Sequence, residues 1–179
     1  LKELGHSSTH DYLISSMKIV NEKFNLFPHA NPGLMSKKEI KELKKHSPSG
    51  GIMIESFSKN IYGKGKAHYK TDTKYIDFRL ETLNNALEEK YPVTTGLLLG
   101  LTSTKEEIVN DISNLINYLK KNSAIQEVIL QNFRAKKNTL MKNSSEITND
   151  LFLRIIATTR IYAPSHISLQ VPPNLSPDI

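Results

Sequence analysis

The chain has 179 residues, of which 38% are hydrophobic and 23% are charged, enough for one domain with a core. Cysteine is absent, which excludes disulfides, cysteine nucleophiles and thiolate metal sites within these residues. No apolar run is long enough to cross a bilayer and no signal-peptide pattern is present, so we expect a cytoplasmic protein with no membrane partner.

The net charge of +6 comes partly from lysines that cluster on one predicted helix. Such a cluster could form a patch for nucleic acid or another anion, or it could be the solvated face of a helix. The second interpretation is favoured, and no nucleic-acid partner is expected, because no aromatic residues are interleaved with the lysines. The lysines are Lys37, Lys38, Lys41, Lys44 and Lys45.

Five helices are predicted from capping patterns and from apolar residues at helical spacing. The fifth is apolar nearly all round, so we expect it to be well buried. The first helix begins after the cap residues Ser8–Asp11, and the second begins at the capping box Ser36–Glu39. The third covers Tyr75–Lys90, the fourth begins at the capping box Thr104–Glu107, and the fifth covers Asn149–Ile161.

Short apolar or β-prone runs between these helices predict strands. Alternating strands and helices are typical of βαβ units with a parallel sheet. No dinucleotide fingerprint or P-loop follows any strand, so a partial (β/α) barrel of the TIM type is favoured, as a single domain over residues 1–179. The predicted strands are Asn25–Pro28, Gly51–Ile54, Val93–Leu99, Glu127–Leu130 and Ile167–Val171.

Polar residues and glycines stand at the ends of these strands, where a parallel barrel binds its ligands. Glu55 ends a buried strand and needs partners, either a ligand or a basic residue of a helix. Gly96 and Gly100 allow either a close ligand approach or tight packing at a bend. His68 lies in a predicted loop. It could be a proton shuttle, or it could be merely a hydrogen-bonded loop histidine. No metal-ligand spacing is present.

Five blocks of sequence, in order and from end to end of the chain, resemble a known family. They look like deazaflavin (FO) synthase, specifically its radical S-adenosylmethionine (SAM) subunit, often called the G subunit. The blocks are Gly5–Thr9 (GHSST), Leu26–Gly33 (LFPHANPG), Thr94–Gly100 (TTGLLLG), Ile125–Phe133 (IQEVILQNF) and Gln170–Leu175 (QVPPNL).

The resemblance implies a radical SAM barrel that binds S-adenosylmethionine and a 4Fe-4S cluster. The reaction would start from a 5′-deoxyadenosyl radical and close the 7,8-didemethyl-8-hydroxy-5-deazariboflavin ring of a tyrosine-derived adduct of 5-amino-6-ribitylaminouracil. A sister subunit would supply the adduct. The family holds its cluster with a three-cysteine motif near its N-terminus, so we expect this chain to be a fragment that lacks both the cluster-binding part and the C-terminal end, and to be inactive alone.

The resemblance also implies roles for individual residues. Glu55 would hold the SAM ribose or amino group, and Arg79 the SAM carboxylate, which suits a guanidinium fork. His68 would transfer a proton. The other residues expected to bind the cofactor are Gly96, Gly100, Gln131, Asn132 and Phe133. Those expected to face the substrate are His29, Asn31, Thr95, Gln170 and Asn174.

Two alternatives remain open at this stage. A barrel fragment without a cluster could act as a binding or structural module. The chain could also come from another radical SAM enzyme of the same subfamily, such as those of the menaquinone pathway.

Overall fold

Five parallel strands form one sheet, in the order β1-β2-β3-β4-β5, in a computed structural model that describes residues 1–102 and 104–175. Each strand is followed by a crossover to the next, so strands and helices alternate as expected. The strands are β1 His29–Ala30, β2 Ser49–Gly51, β3 Val93–Leu99, β4 Ile125–Asn132 and β5 Ser168–Gln170. The helices are α1 Thr9–Phe24, α2 Lys37–Leu43, α3 Ile76–Glu88, α4 Lys105–Leu119 and α5 Asn149–Tyr162, with 3-10 turns at Lys2–Leu4, Lys59–Tyr62 and Asp72–Lys74.

The predicted helix starts are confirmed by their caps. The side chain of Ser8 accepts a hydrogen bond from the backbone N–H of Asp11, and α1 follows it directly. Both capping boxes are formed, one between Ser36 and Glu39 and the other between Thr104 and Glu107. These contacts satisfy backbone N–H groups that the first turn of a helix leaves unpaired, so local sequence fixes where α2 and α4 begin.

The first strand lies just after its predicted run, Asn25–Pro28, and the second shares only Gly51 with its predicted run, Gly51–Ile54. The ladder between β1 and β2 joins His29 to Ser49 and Ala30 to Gly50, rather than using the apolar residues on either side. A Cβ atom on Gly50 would lie 2.8 Å from the carbonyl oxygen of Ala30, so only glycine permits this approach. The other three strands are confirmed, with β4 extending to Ile125 and Asn132.

The two faces of the sheet differ in what covers them. Leu97, Leu99, Val128 and Leu130 are at most 2% exposed and pack in the core with the helices, on what we call the outer face. Successive side chains of a strand point to opposite faces. The alternate residues of β3 and β4, including Gly96 and Gln131, therefore lie on the opposite, inner face.

The prediction that the fifth helix is well buried is wrong. Phe152, Ile155 and Thr159 are buried, whereas Ile161 and Tyr162 are 75% and 58% exposed. The apolar composition misled because α5 packs against the sheet and α4 along one stripe only, which leaves its other apolar residues in contact with solvent. No helix among residues 1–102 and 104–175 is long and apolar enough to cross a membrane.

Candidate functional site

Glu55, four residues after the end of β2, is fixed to β3 by its own backbone. Its N–H donates to the carbonyl of Gly96, and its carbonyl accepts from the N–H of Leu98, both at 2.8 Å. Its φ angle is +67°, in the left-handed region, where a residue with a Cβ atom is disfavoured by about 1–2 kcal/mol. The strand–strand bonds hold this strained backbone and place the carboxylate beside β3.

Three basic side chains surround the Glu55 carboxylate, and we call the four residues together the Glu55 cluster. His68 Nε2 lies 2.7 Å from Oε2, Arg79 Nη1 lies 3.2 Å from Oε1, and the Lys74 ammonium also contacts Oε1. Burial alone would raise the pKa of Glu55. Hydrogen bonds from His68 and Lys74, and the charges of Lys74 and Arg79, outweigh it and lower the pKa to about 2. Glu55 is therefore ionised at neutral pH.

The Glu55 cluster keeps some hydrogen-bonding capacity for a ligand. Glu55 accepts three hydrogen bonds from basic side chains, whereas a carboxylate offers about four lone-pair sites. Arg79 uses Nε on the carbonyl of Thr73 and Nη1 on that of Met53 and on Glu55. Its Nη2 group makes no hydrogen bond to any residue that the structure describes. Nη2 is thus the part of the fork left to bind an anion.

His68 reaches Glu55 from the long segment between β2 and α3. Its backbone N–H donates to the carbonyl of Ile61 at 2.9 Å, and its ring lies nearly parallel to that of Tyr62, with centroids 6.2 Å apart. Its second ring nitrogen, Nδ1, is buried and has no hydrogen-bond partner among the described residues. The imidazole is therefore held at one nitrogen and open at the other.

Asp111 of α4 anchors the segment that follows Glu55, a role that sequence reasoning missed. Its carboxylate accepts hydrogen bonds from the Ser56 hydroxyl at 2.7 Å and from the N–H of Phe57 at 2.6 Å. Burial raises the pKa of Asp111, and these hydrogen bonds only partly offset it. The available signal was a carboxylate within the apolar stripe that runs from Ile108 to Leu115.

The two strand glycines have packing roles. A Cβ atom on Gly96 would overlap the carbonyl oxygen of Ile129, because β3 and β4 approach closely there. Gly100 has a φ angle of +102°, and a Cβ on it would lie 3.2 Å from the Cβ of Phe133. Both observations match the tight-packing alternative, while the position of Gly96 beside the Glu55 backbone also keeps the ligand alternative open.

The other predicted site residues divide between the two faces of the sheet. Gln131 and Gln170 lie on the inner face with His29 and Asn31, and His29 Nδ1 is 2.8 Å from the Ser49 hydroxyl. Thr95 pairs with Val128, and Asn132 with Leu99, which places both on the outer face, fully buried and without a partner for their side-chain polar atoms among the described residues. No hydrogen bond joins either side chain to Glu55 in the part of the chain that the structure describes. Asn174 lies in the turn after β5.

The lysines in and just after α2 are partly neutralised by neighbouring carboxylates. Lys37 lies 2.8 Å from Glu88, and Lys45 lies 2.5 Å from Glu42. Exposed pairs of this kind contribute little to stability, but they reduce the positive field of the helix. In the part of the chain that the structure describes, no three His, Asp or Glu side chains converge as metal ligands.

Several known proteins are similar in sequence to this chain. No known family profile matches the chain. A protein named 7,8-didemethyl-8-hydroxy-5-deazariboflavin synthase from Methanopyrus kandleri is 36% identical over 176 residues, which cover 98% of this chain and 52% of the relative. A protein named FO synthase from Nocardia farcinica is 38% identical over 98% of this chain and 20% of the relative. The chain is a homologue of the deazaflavin synthases.

The chain spans about half the length of the archaeal deazaflavin synthases it matches, and one fifth of the Nocardia protein. Solved structures agree on the fold. The FeFe-hydrogenase maturase HydG from Carboxydothermus hydrogenoformans superposes with a TM-score of 0.74 over 94% of this chain and 42% of its own, at 20% identity. Methylornithine synthase (PylB) gives 0.68 over 84% of this chain and 42% of its own, at 19% identity. The predicted fold, part of a barrel in which parallel strands alternate with helices, is confirmed.

Proposed function

We propose that the protein containing this chain forms the 7,8-didemethyl-8-hydroxy-5-deazariboflavin ring in a SAM-dependent radical reaction, and that this chain supplies part of the cofactor and substrate pocket. Similarity to the named synthases over nearly the whole chain supports the reaction. The observation that carries the role of this chain is the ionised Glu55 carboxylate, held among three basic groups at the edge of the sheet.

SAM, when bound and given one electron by a reductant held outside this chain, would release methionine and supply a carbon-centred radical for hydrogen abstraction. The Glu55 cluster suits its amino-acid moiety, because that moiety carries an ammonium and a carboxylate. The remaining lone pair of Glu55 accepts a hydrogen bond from the ammonium or from a ribose hydroxyl. The free Nη2 group of Arg79 pairs with the carboxylate, and Lys74, whose side chain is 35% exposed, adds a second positive charge.

A 4Fe-4S cluster does not fit residues 1–179, because they include no cysteine and thiolates are its usual ligands. Any cluster of the whole protein would be held by residues outside this chain. We derive no step of the reaction through it.

His68 is proposed to exchange a proton with the substrate, while the ionised Glu55 carboxylate holds its imidazole in place. Its Nε2 atom contacts the carboxylate, and its Nδ1 atom has no partner among the described residues. An imidazole anchored at one nitrogen can give or take a proton at the other. We further propose that Gln131 and Gln170 orient the substrate on the inner face, that the substrate comes from a sister subunit, and that the reaction takes place in the cytoplasm.

Equilibrium dialysis with radiolabelled SAM tests the binding role, using the protein expressed with whatever sequence flanks residues 1–179 in its gene. We expect saturable binding that Glu55→Gln weakens at least tenfold. Glu106→Gln, which changes an exposed glutamate at the start of α4, is the matched control and should bind normally. Formation of the fluorescent deazaflavin from the tyrosine adduct tests the reaction. Absence of both SAM binding and product would refute the proposal.

A further inference from the structure

The chain turns sharply at Glu55, beside β3. The N–H of Ser56 donates a hydrogen bond to the carbonyl of Ile54 at 2.9 Å, and the φ angle of Glu55 between them is +67°. A hydrogen bond that spans a single residue of positive φ defines the rarer and more strained form of the γ-turn. Such a backbone persists only where the surrounding structure imposes it, so the contacts on either side of Glu55 decide its conformation.

Two sets of contacts hold the γ-turn. The first is the pair of backbone hydrogen bonds that joins Glu55 itself to β3. The second is the carboxylate of Asp111 on α4, which accepts from the Ser56 hydroxyl at 2.7 Å and from the Phe57 N–H at 2.6 Å. Ser56 and Asp111 are 1% and 4% exposed, so water does not compete for this contact. Because one carboxylate oxygen serves each donor, the direction in which the chain leaves Glu55 is fixed.

A second carboxylate of α4 holds the stretch that follows the γ-turn. The Oε1 atom of Glu107 accepts from the Ser58 hydroxyl at 2.9 Å and from the side-chain amide of Asn60 at 2.7 Å. The N–H of Ser58 in turn donates to the Ser56 hydroxyl at 3.0 Å. Glu107 and Asp111 are four residues apart, so they lie on one face of the helix. We call these two carboxylates the α4 clamp.

Asp111 of the α4 clamp carries a charge that its surroundings oppose. Burial raises its pKa, the nearby charge of Glu107 adds to this, and the donors that partly offset it, a hydroxyl and backbone N–H groups, are neutral. A buried carboxylate of this kind is costly to the fold. What it provides is two acceptor oxygens in one rigid plane, which a serine or an asparagine would not provide. Asp111 therefore suits the task of directing the backbone better than that of filling the core.

The γ-turn sets the direction of the Glu55 side chain. The Oε2 atom of Glu55 meets His68 at 2.7 Å, and its Oε1 atom meets Arg79 at 3.2 Å. A change of either backbone angle at Glu55 would swing its Cα–Cβ bond and carry both oxygens away from these partners. We infer that Asp111 is a positioning residue of the cofactor site, which aims the Glu55 carboxylate through the γ-turn. The inference deepens the proposed function and rests on it for the identity of the cofactor.

A double-mutant cycle on SAM affinity tests the inference, by equilibrium dialysis of the protein with its natural flanking sequence. Asp111→Asn removes one of the two bonds to the γ-turn and should weaken SAM binding by about fivefold or more. In a Glu55→Ala background the same substitution should change the affinity by less than about twofold, because no carboxylate is left to aim. Asp150→Asn, which alters an exposed carboxylate of α5, is the control and should leave the affinity unchanged in both backgrounds. A loss by the same factor in both backgrounds would overturn the inference.

The titration of Glu55 gives a readout that needs no cofactor. Burial opposes its ionisation, but its basic partners lower its pKa to about 2, so its carboxyl carbon-13 resonance should remain that of an ionised group down to about pH 3. A misdirected carboxylate loses these partners, so in Asp111→Asn the pKa of Glu55 should rise by about one unit or more. Loss of the Asp111 charge alone acts in the opposite direction, because a nearby negative charge raises a carboxyl pKa. A pKa of about 2 for Glu55 in folded Asp111→Asn would therefore overturn the positioning role.

The two measurements separate this inference from the proposed function. A raised Glu55 pKa in Asp111→Asn of a protein that binds no SAM would sustain the positioning role and refute the cofactor assignment. SAM binding that depends on Glu55, with an unchanged Glu55 pKa in Asp111→Asn, would do the reverse. Thermal unfolding checks the fold of each variant, and Ser56→Ala, which removes the hydroxyl bond to Asp111, replaces Asp111→Asn if that variant does not fold. Where Glu55→Ala binds SAM too weakly to measure, the titration decides alone.

Discussion

The Nε2 atom of His68 lies 2.7 Å from the Oε2 atom of Glu55, and both side chains are almost completely buried. The contact joins the end of a strand to a long loop that carries no regular strand or α-helix. Lys74 and Arg79 approach the other carboxylate oxygen. One carboxylate therefore fixes two positions of the segment between β2 and α3 and one position of α3 itself, and its ionisation becomes a condition for the shape of the pocket.

Acid should destabilise the protein through Glu55. Its pKa falls from 4.5 to about 2 on folding, so between these values the unfolded chain takes up a proton that the folded chain does not. This stability is fully present above about pH 4.5 and is lost as the pH falls to about 2, by roughly 3 kcal/mol in all. Urea unfolding across this range measures it. Glu55→Gln should flatten the slope, and Glu106→Gln should not; an unchanged slope in Glu55→Gln would contradict the assignment.

Replacing Arg79 should weaken SAM binding. Arg79→Ala removes the free Nη2 group and one partner of Glu55, whereas Arg79→Lys keeps the charge but loses the fork. We expect a loss of affinity of about tenfold for lysine, equivalent to about 1.4 kcal/mol, and more for alanine. Equilibrium dialysis measures both. Arg154→Ala, which removes an exposed guanidinium paired with Asp150 on α5, is the control. Unchanged SAM affinity in a folded Arg79→Lys protein would remove the assigned role.

Asp111 should control the order of the loop that follows Glu55. Asp111→Asn leaves an amide N–H₂ facing one of the two donors, Ser56 or Phe57, so one buried hydrogen bond is lost and stability falls by about 1–3 kcal/mol. Hydrogen exchange of the Phe57 amide should become faster than in the wild type. Asp150→Asn, on the exposed face of α5, should leave that amide protected. Unaltered protection in Asp111→Asn would show that the strand alone holds the loop.

Adding one methyl group at Gly96 should be far more damaging than adding it at Gly63. A Cβ atom at Gly96 overlaps the Ile129 carbonyl, so β3 and β4 must separate, at a cost of about 2–3 kcal/mol. At Gly63 the nearest atom, Lys66 Cγ, is 3.7 Å away and φ is −64°, so alanine fits. Urea unfolding of the two alanine variants compares them directly. Equal stabilities would exclude the close approach of the two strands.

The parts of this fold that depend on contacts between neighbouring residues can be predicted from the sequence. The capping boxes at Ser36 and Thr104 define helix starts through contacts within four residues, and a polar residue ending a buried strand pointed to Glu55. The partners of Glu55 could not be read in the same way, because His68 and Lys74 reach it across an irregular loop. The short strands β1 and β2 were misplaced because their pairing depends on the missing side chain of Gly50 rather than on an apolar run.

The face of the sheet on which a strand residue lies was the property hardest to predict from the sequence. A side chain at a strand end enters the pocket or the core according to the phase of the pleat, and one residue of shift reverses the outcome. Gln131 and Asn132 are neighbours with the same chemistry, yet only Gln131 lies on the inner face.

The left-handed backbone of Glu55 has an evolutionary consequence. Glycine would adopt this φ angle without strain, but it would leave the buried Arg79 and His68 without the carboxylate that pairs with them. Laboratory selection of position 55 at neutral pH should therefore preserve glutamate, whether the selection is for thermal resistance or for cofactor retention. Enrichment of glycine under selection for thermal resistance alone would show that relief of the backbone strain outweighs the ion pairs of Glu55.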